Sequence, residues 1–561
     1  MIACSITDTA CMKLSTVSEL RDLRATSDEY ALFDARESAQ AHQDHIFGAT
    51  FLPRRMLAAR IAGLVPRRST PIMLYDDGGP DERARLAAQA LARFGYTDVR
   101  VLDGGLRAWL AQGEASCRGS NVPSKWFGET VHAHAATPAL PIAALQAWRE
   151  AGRAHRVCDI RSPEEYGRAR IPGAAGAFGS DLAWHAGDLR RAGQPVVVHC
   201  SGRTRSIIAC ESLRLLGVRD AYALENGTMG WRLAGLALER GPGSGSLAAS
   251  AASRRHGVRR TQSLARTAGV ARVDAATLAR WLDDRHAGRL NLYLLDIRQV
   301  AEYRSGHLPG AIALPGGLAV QRTDEFVPVR AAQVVLVDDD EARAALAGYW
   351  LRAMGLPRVA ILAGGLAAWS AAGYTLDSGR DRPPPADRAD AALAARPCPP
   401  RDVHEAGARM QRAYVDTQAR FLAGRPEAAE WVPFGGLESW LAARARRHDE
   451  RTVVLMAHDE SLAMSAALNA RLAGFDTAVL AGGVTAWQAQ GLPLVSGPGD
   501  GVAQAADVVV QPYDAGLRAM RDYLEWEQAL TRQSIPTLPL YTAYRMPRPP
   551  AADMEDDQEA S

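Results

Sequence analysis

Residues 195–231 read PVVVHCSGRTRSIIACESLRLLGVRDAYALENGTMGW. PVVVH is a continuous apolar, β-branched run, the pattern of a strand buried on both faces. CSGRTRS is a short polar loop. The stretch after it, RSIIACESLRLLGV, carries apolar residues at helical spacing and stops just after a glycine, as helices commonly do. The closing LENGTMGW reads as a tight turn followed by Trp231, a core anchor on the next helix. Strand, loop and helix in that order argue for a parallel sheet with right-handed crossovers.

The same order returns three more times. LDGGLRAW (102–109), LAGGLAAW (362–369) and LAGGVTAW (480–487) match LENGTMGW (224–231). Upstream lie strands ending in Asp34, Asp159, Asp296 and Asp416, spaced 125, 137 and 120 residues apart. Between aspartate and tryptophan stand PIMLY (71–75), PVVVH, QVVLV (333–337) and TVVLM (452–456), each followed by a helical pattern. The period is one domain long, so the expected fold class is α/β, with tandem domains that each form a small parallel sheet flanked by helices.

At about 150 residues per domain, 561 residues also suggest about four domains. With 47% hydrophobic and 23% charged residues the chain can build several ordinary cores. Its 65 basic and 63 acidic side chains leave a formal charge of +2, which gives no bulk-charge argument for nucleic acid or a membrane surface. The absence of a secretory pattern and of a membrane-length apolar run points to a cytoplasmic protein. Seven cysteines in so long a chain do not make a disulfide framework. Residues 240–271 are small, polar and basic, and 376–400 are proline-rich; both read as linkers. An amphipathic helix around 514–533 precedes an acidic tail.

The residue after each central strand sits at the carboxyl end of the sheet, where α/β proteins bind ligands. Counted from the upstream aspartate, offsets of 42, 41, 42 and 42 place Asp76, Cys200, Asp338 and His458 there. Cys200 is the one nucleophile of the four. At a helix N-terminus it meets unpaired amides, and Arg203 and Arg205 follow closely; all favour the thiolate. Consecutive amides also form a nest for an anion. Cys158 and Cys210 lie in apolar patterns and read as structural, while Cys4, Cys11, Cys117 and Cys398 have no supporting constellation. Asp338 to Glu341 read as a solvated acidic helix start, not a metal site, and His458 alone is weak evidence for a ligand.

The Asp-x-Arg strands, the His-Leu-Pro-Gly-Ala stretch at 307–311, the Cys-x-x-x-x-Arg loop and the Gly-Gly-x-x-x-Trp ending resemble the rhodanese family. The resemblance implies rhodanese-like domains at 14–116, 138–240, 272–376 and 402–496, with a helix and acidic tail over 497–561. The fourth is the most divergent. It implies a thiosulfate sulfurtransferase that needs no cofactor or metal, in which Cys200 carries sulfane sulfur as a persulfide. Ser201, Gly202, Arg203, Thr204, Arg205 and Ser206 would wrap that persulfide, the two arginines steering thiosulfate and stabilising departing sulfite. Asp159 and Arg161 either orient the loop or form an ion pair that keeps the fold. The implied partners are thiosulfate or a similar donor, and cyanide or a thiol or thioredoxin-like acceptor, with neither membrane nor nucleic acid. The other three domains would be structural or partner-binding. Rival readings are a sulfur-carrier or regulatory docking protein, and a phosphatase or arsenate reductase of the related fold. The last two need five residues between cysteine and arginine, where Cys200 and Arg205 have four.

Overall fold

The computed structural model describes residues 12–80, 82–241, 245–379, 386–498, 507 and 509–532. Cys4, Cys11 and the acidic tail lie outside them.

The sheet around PVVVH is built from Ala139–Leu140, Arg156–Asp159, Ala175–Gly176, Val196–His199 and Ala221–Leu224. All pairings are parallel, and the strands lie in the order first, fifth, fourth, second, third. Three further five-stranded sheets among the described residues have the same order. Val196, Val197 and Val198 are fully buried, as their β-branched run requires. The helices after the central strands span Arg83–Arg93, Thr204–Leu215, Ala342–Ala353 and Glu460–Leu472.

The repeated glycine turns do as expected. Asn226 and Gly227 adopt left-handed φ of 59° and 52°. A Cβ on Gly227 would lie 2.2 Å from the Cys200 carbonyl oxygen, so only glycine permits that approach. Trp109, Trp231, Trp369 and Trp487 are buried, and each donates its indole N–H to a carbonyl six residues on, at 2.8–2.9 Å. A buried indole with its one donor satisfied is a stable core anchor.

The chain forms two compact units. One comprises Met1–Leu23, Tyr30–Ser120 and Arg382–Val509, and so holds the first and fourth sheets. Within it Arg54 pairs with Glu438 at 2.6 Å. The other comprises Arg24–Glu29, Asn121–Asp381 and Val510–Ser561, and holds the second and third sheets. Within it the Trp184 ring carries the Arg254 and Arg343 guanidiniums, each 4.1 Å from its centre, and donates to Asp340 at 2.8 Å.

Three expectations are corrected. The basic stretch read as a linker contains a helix, Ala251–Thr267, packed against the helices Leu182–Ala192 and Ala342–Ala353. Small residues make this possible: a Cβ on Gly257 would lie 2.1 Å from the Ala183 carbonyl oxygen, and the Ser253 hydroxyl donates to the Trp184 carbonyl at 2.6 Å. Small and polar composition here marks close helix packing. Likewise the stretch 376–400 includes the helix Arg388–Ala394 and the edge strand Pro397–Cys398 of the fourth sheet.

The third correction concerns register in the fourth sheet. Asp34, Asp159 and Asp296 pair with Tyr75, His199 and Val337, but Met456 pairs with Tyr414, not with Asp416. The residue after the central strand is therefore Ala457 in place of His458, since Tyr414, two positions before Asp416, holds the place of the other aspartates and the connection to the central strand is slightly longer.

Gly257→Ala should lower thermal stability, by about 1–3 kcal/mol for overpacking. In a solvated segment the same change would be neutral or mildly stabilising. Calorimetry separates the two, and an unchanged or raised midpoint would mean that the helix is not docked.

Candidate active site

Cys200 follows the central strand directly and stands four residues before the start of the helix Thr204–Leu215. Its side chain is nearly enclosed, and its Sγ lies 3.5 Å from the Ser206 hydroxyl, which itself donates to the Arg203 carbonyl at 2.8 Å. The carbonyls of Cys200 and Ser201 turn away to accept the Thr228 and Met229 amides at 2.9 and 3.0 Å. The glycine turn thus clasps the loop from behind.

The two arginines are in the loop as expected, yet neither is a free charge. Arg203 makes a two-pronged bond to Glu129, of the helix Val122–Ala135, at 2.6 and 2.9 Å. Arg205 grips Glu165 at 2.8 and 2.9 Å, and Ser201 donates to the same carboxylate at 3.1 Å. Burial pushes the Glu165 carboxyl up, but Arg205 overrides it and holds the pKa at about 2. Arg205 is buried and its own pKa is raised: burial opposes its charge, and Glu165 and then Cys200 favour it. Each loop guanidinium is thus paired with a carboxylate. Thr204 donates to Glu527, near the C-terminus of the described chain, at 2.6 Å. Gly202 lies against the same helix.

Sequence reasoning missed Glu129, Glu165 and Glu527. Glu165 had a local signal, since Ser162 and Glu165 form a capping box at the start of Pro163–Arg168. The partners of the other two are 74 and 323 residues away and left none.

Asp159 and Arg161 form a buried pair at 2.6 Å, and Arg161 also donates to the Ala169 carbonyl at 2.6 Å. Asp34–Arg36 and Asp296–Arg298 repeat this arrangement, each arginine reaching a carbonyl eight residues on. The pair therefore recurs in domains that have no nucleophile at the equivalent position. Asp159 also lies 3.7 Å from the buried His199 ring, whose pKa is lowered, first by burial.

At the positions equivalent to Cys200, Asp76 accepts the Gly78 and Ala84 amides at 2.8 and 2.9 Å. Asp338 accepts the Asp339 and Arg343 amides, each at 2.8 Å, and the Arg343 side chain at 2.7 Å. Each carboxylate fills its own nest. The stretch Asp338–Glu341 is correspondingly no solvated helix start: Asp338 and Glu341 are buried, and Glu341 pairs with Arg272 at 2.6 Å. Among the described residues, no group of three or more His, Cys, Asp or Glu side chains is placed to hold a metal ion. Nor is any described helix long and apolar enough to cross a membrane.

The other cysteines differ from Cys200. Burial pushes the Cys158 and Cys210 thiols up to about 12. Cys117 is not an isolated residue in a joint: it is buried, with Sγ 3.2 Å from His45 Nε2.

A family model for the rhodanese-like domain matches residues 16–112, 142–234 and 274–372. The crystal structure of thiosulfate sulfurtransferase from Pseudomonas aeruginosa superposes with a TM-score of 0.82 at 35% identity, covering 93% of this chain and 97% of that one. The Mycobacterium tuberculosis protein "Putative thiosulfate sulfurtransferase SseB" is 36% identical over 104 residues, which span 15% of this chain and 37% of that protein's length. The chain belongs to the rhodanese family.

Glu165→Gln tests the ion pair through pH. A carboxyl held below its ordinary 4.5 contributes stability that is present above that value and lost as pH falls toward about 2. The variant should lose on the order of 2 kcal/mol at neutral pH, allowing for partial exposure, and its acid unfolding curve should lack that component. Acid titrations that superpose for variant and wild type would contradict the pairing.

Proposed function

We propose that the protein is a sulfurtransferase with its active centre at Cys200, moving sulfane sulfur from thiosulfate or a similar donor to a thiophilic acceptor. The observation that carries this reading is the contrast between equivalent positions. Asp76 and Asp338 fill their nests with their own carboxylates and the fourth sheet offers Ala457, whereas the second presents a thiol.

The chemistry balances without a cofactor. The Cys200 thiolate attacks the sulfane sulfur of thiosulfate, forming the Cys200 S–S bond. The bond from sulfane sulfur to the sulfonate breaks, and its electron pair leaves with sulfite. The terminal sulfur of the persulfide is then taken by cyanide, a thiol or a thioredoxin-like protein, which restores the thiolate. The Ser206 hydroxyl lies 3.5 Å from the Cys200 Sγ but its proton goes to the Arg203 carbonyl, so in this reading the charge on sulfur falls to the loop amides ahead of the helix start. Arg203 and Arg205 hold the loop in shape through Glu129 and Glu165, and Asp159 with Arg161 holds the strand beneath it.

Residues 138–240 form the catalytic domain in this account. Residues 14–116, 272–376 and 402–496 are rhodanese-like domains without a catalytic cysteine, serving structure or partner docking. A carrier that exchanges thiols in this way suits the reducing cytoplasm.

Cys200→Ser should abolish sulfite release from thiosulfate in the presence of cyanide and leave the melting temperature nearly unchanged, because the exchange is close to isosteric. Sulfite release persisting in that variant would place the chemistry elsewhere.

A further inference from the structure

The helix Leu517–Ala529 lies on the Cys200 loop. Met520 and Leu524 pack with Met229 in a buried apolar cluster, and Arg232 sits 4.8 Å from the centre of the Tyr513 ring. The Lys125 ammonium lies 5.1 and 5.0 Å from the centres of the Tyr523 and Trp526 rings. These contacts fix which face of the helix meets the loop. On that face a Cβ at Gly202 would lie 3.4 Å from Glu527 Oε2, 3.6 Å from Tyr523 Cε1 and 3.7 Å from Leu524 Cδ2.

Glu527 is 1% exposed. Its Oε1 accepts the Thr204 hydroxyl at 2.6 Å, while Oε2 is buried without a hydrogen-bond partner. The site therefore carries a carboxylate oxygen beside the cradle meant for an anion, with both loop arginines already committed to other carboxylates. The charges on Glu527 and Cys200 also reach the Tyr523 phenol, which burial first and then those charges push well above its ordinary pKa. Helix and thiol share one field.

We propose that Glu527 is a specificity-determining residue of the Cys200 site: its carboxylate penalises a dianionic sulfur donor, so that a singly charged thiosulfonate or persulfide is taken in preference to thiosulfate. This rests on the reading of Cys200 as sulfur carrier. Both donor types react alike. With methanethiosulfonate the Cys200 thiolate takes the sulfane sulfur and methanesulfinate leaves with the electron pair; with thiosulfate, sulfite leaves. Transfer therefore does not distinguish them, whereas charge does.

The groups facing Glu527 are Lys125 and Glu129 from the helix Val122–Ala135, Thr204 and Arg203 from the loop, and Tyr523 from its own helix. Burial raises the Glu527 carboxyl and Lys125 opposes that rise. Its charge thus develops as pH climbs through a raised value, and discrimination against thiosulfate grows with it. The attacking sulfur is common to both donors, so its own reactivity cancels in their ratio.

The test compares kcat/KM for methanethiosulfonate and thiosulfate from pH 4.5, the ordinary carboxyl value, up to 9, in wild type and Glu527→Gln, which keeps an acceptor for Thr204. Wild type should favour methanethiosulfonate increasingly with pH. The variant should flatten that trend and shift the ratio toward thiosulfate on the order of tenfold at the upper end. A ratio unchanged by the substitution across the range overturns the proposal. A second measurement needs no sulfur transfer: alkylation of Cys200 by iodoacetate relative to iodoacetamide, read by peptide mass. The variant should raise that ratio, and in wild type it should fall as pH rises. If neither donor loads Cys200 yet the alkylation ratio moves, the sulfurtransferase reading fails and the donor preference with it, while Glu527 still screens anionic reagents at the thiol; if both donors load it and neither ratio moves, the sulfurtransferase reading stands and the role of Glu527 fails.

Discussion

The carbonyl that follows each central strand is where fold and site meet. In the second domain the Cys200 oxygen is drawn back by the Thr228 amide at 2.9 Å, against a turn whose Gly227 leaves no room for a Cβ. The carbonyl is thereby pinned behind the loop. The Asp76 carbonyl is held by Leu106 at 2.8 Å and the Ala457 carbonyl by Val484 at 2.9 Å, so the same constraint shapes loops with no nucleophile. The cradle is a property of the fold. In the proposed reading, chemistry enters through the thiol that Cys200 places there.

Charge in the second loop is balanced internally. Arg203 answers Glu129, Arg205 answers Glu165, and Glu527 adds a carboxylate with Lys125 nearby. Buried pairs of this kind contribute little net attraction for a ligand, but breaking one leaves an uncompensated charge. In the proposed reading the loop arginines act as scaffolding, and the backbone amides remain as the groups available to a sulfur anion.

Much of this was legible in sequence because it is local. The β-branched strands, the glycine turns, the buried tryptophans and the equivalence of Asp76, Cys200 and Asp338 all rest on neighbours within one repeat. What was missed depends on distant partners. Glu129 and Glu527 reach the loop from far along the chain, and the stretch around Gly257 reads as a linker until the Ala183 carbonyl is seen against it. In the fourth domain Tyr414 takes the strand position that aspartate holds elsewhere, so a marker residue misled where strand pairing does not.

The account stands on sulfur being carried by Cys200, and peptide mapping of the intact full-length protein after brief exposure to a sulfane-sulfur donor tests this most directly. One added sulfur atom on the peptide containing Cys200, removed by cyanide and missing from Cys200→Ser, is the expected result. An unmodified Cys200 peptide, or added sulfur residing on Cys117, Cys158, Cys210 or Cys398, would contradict it.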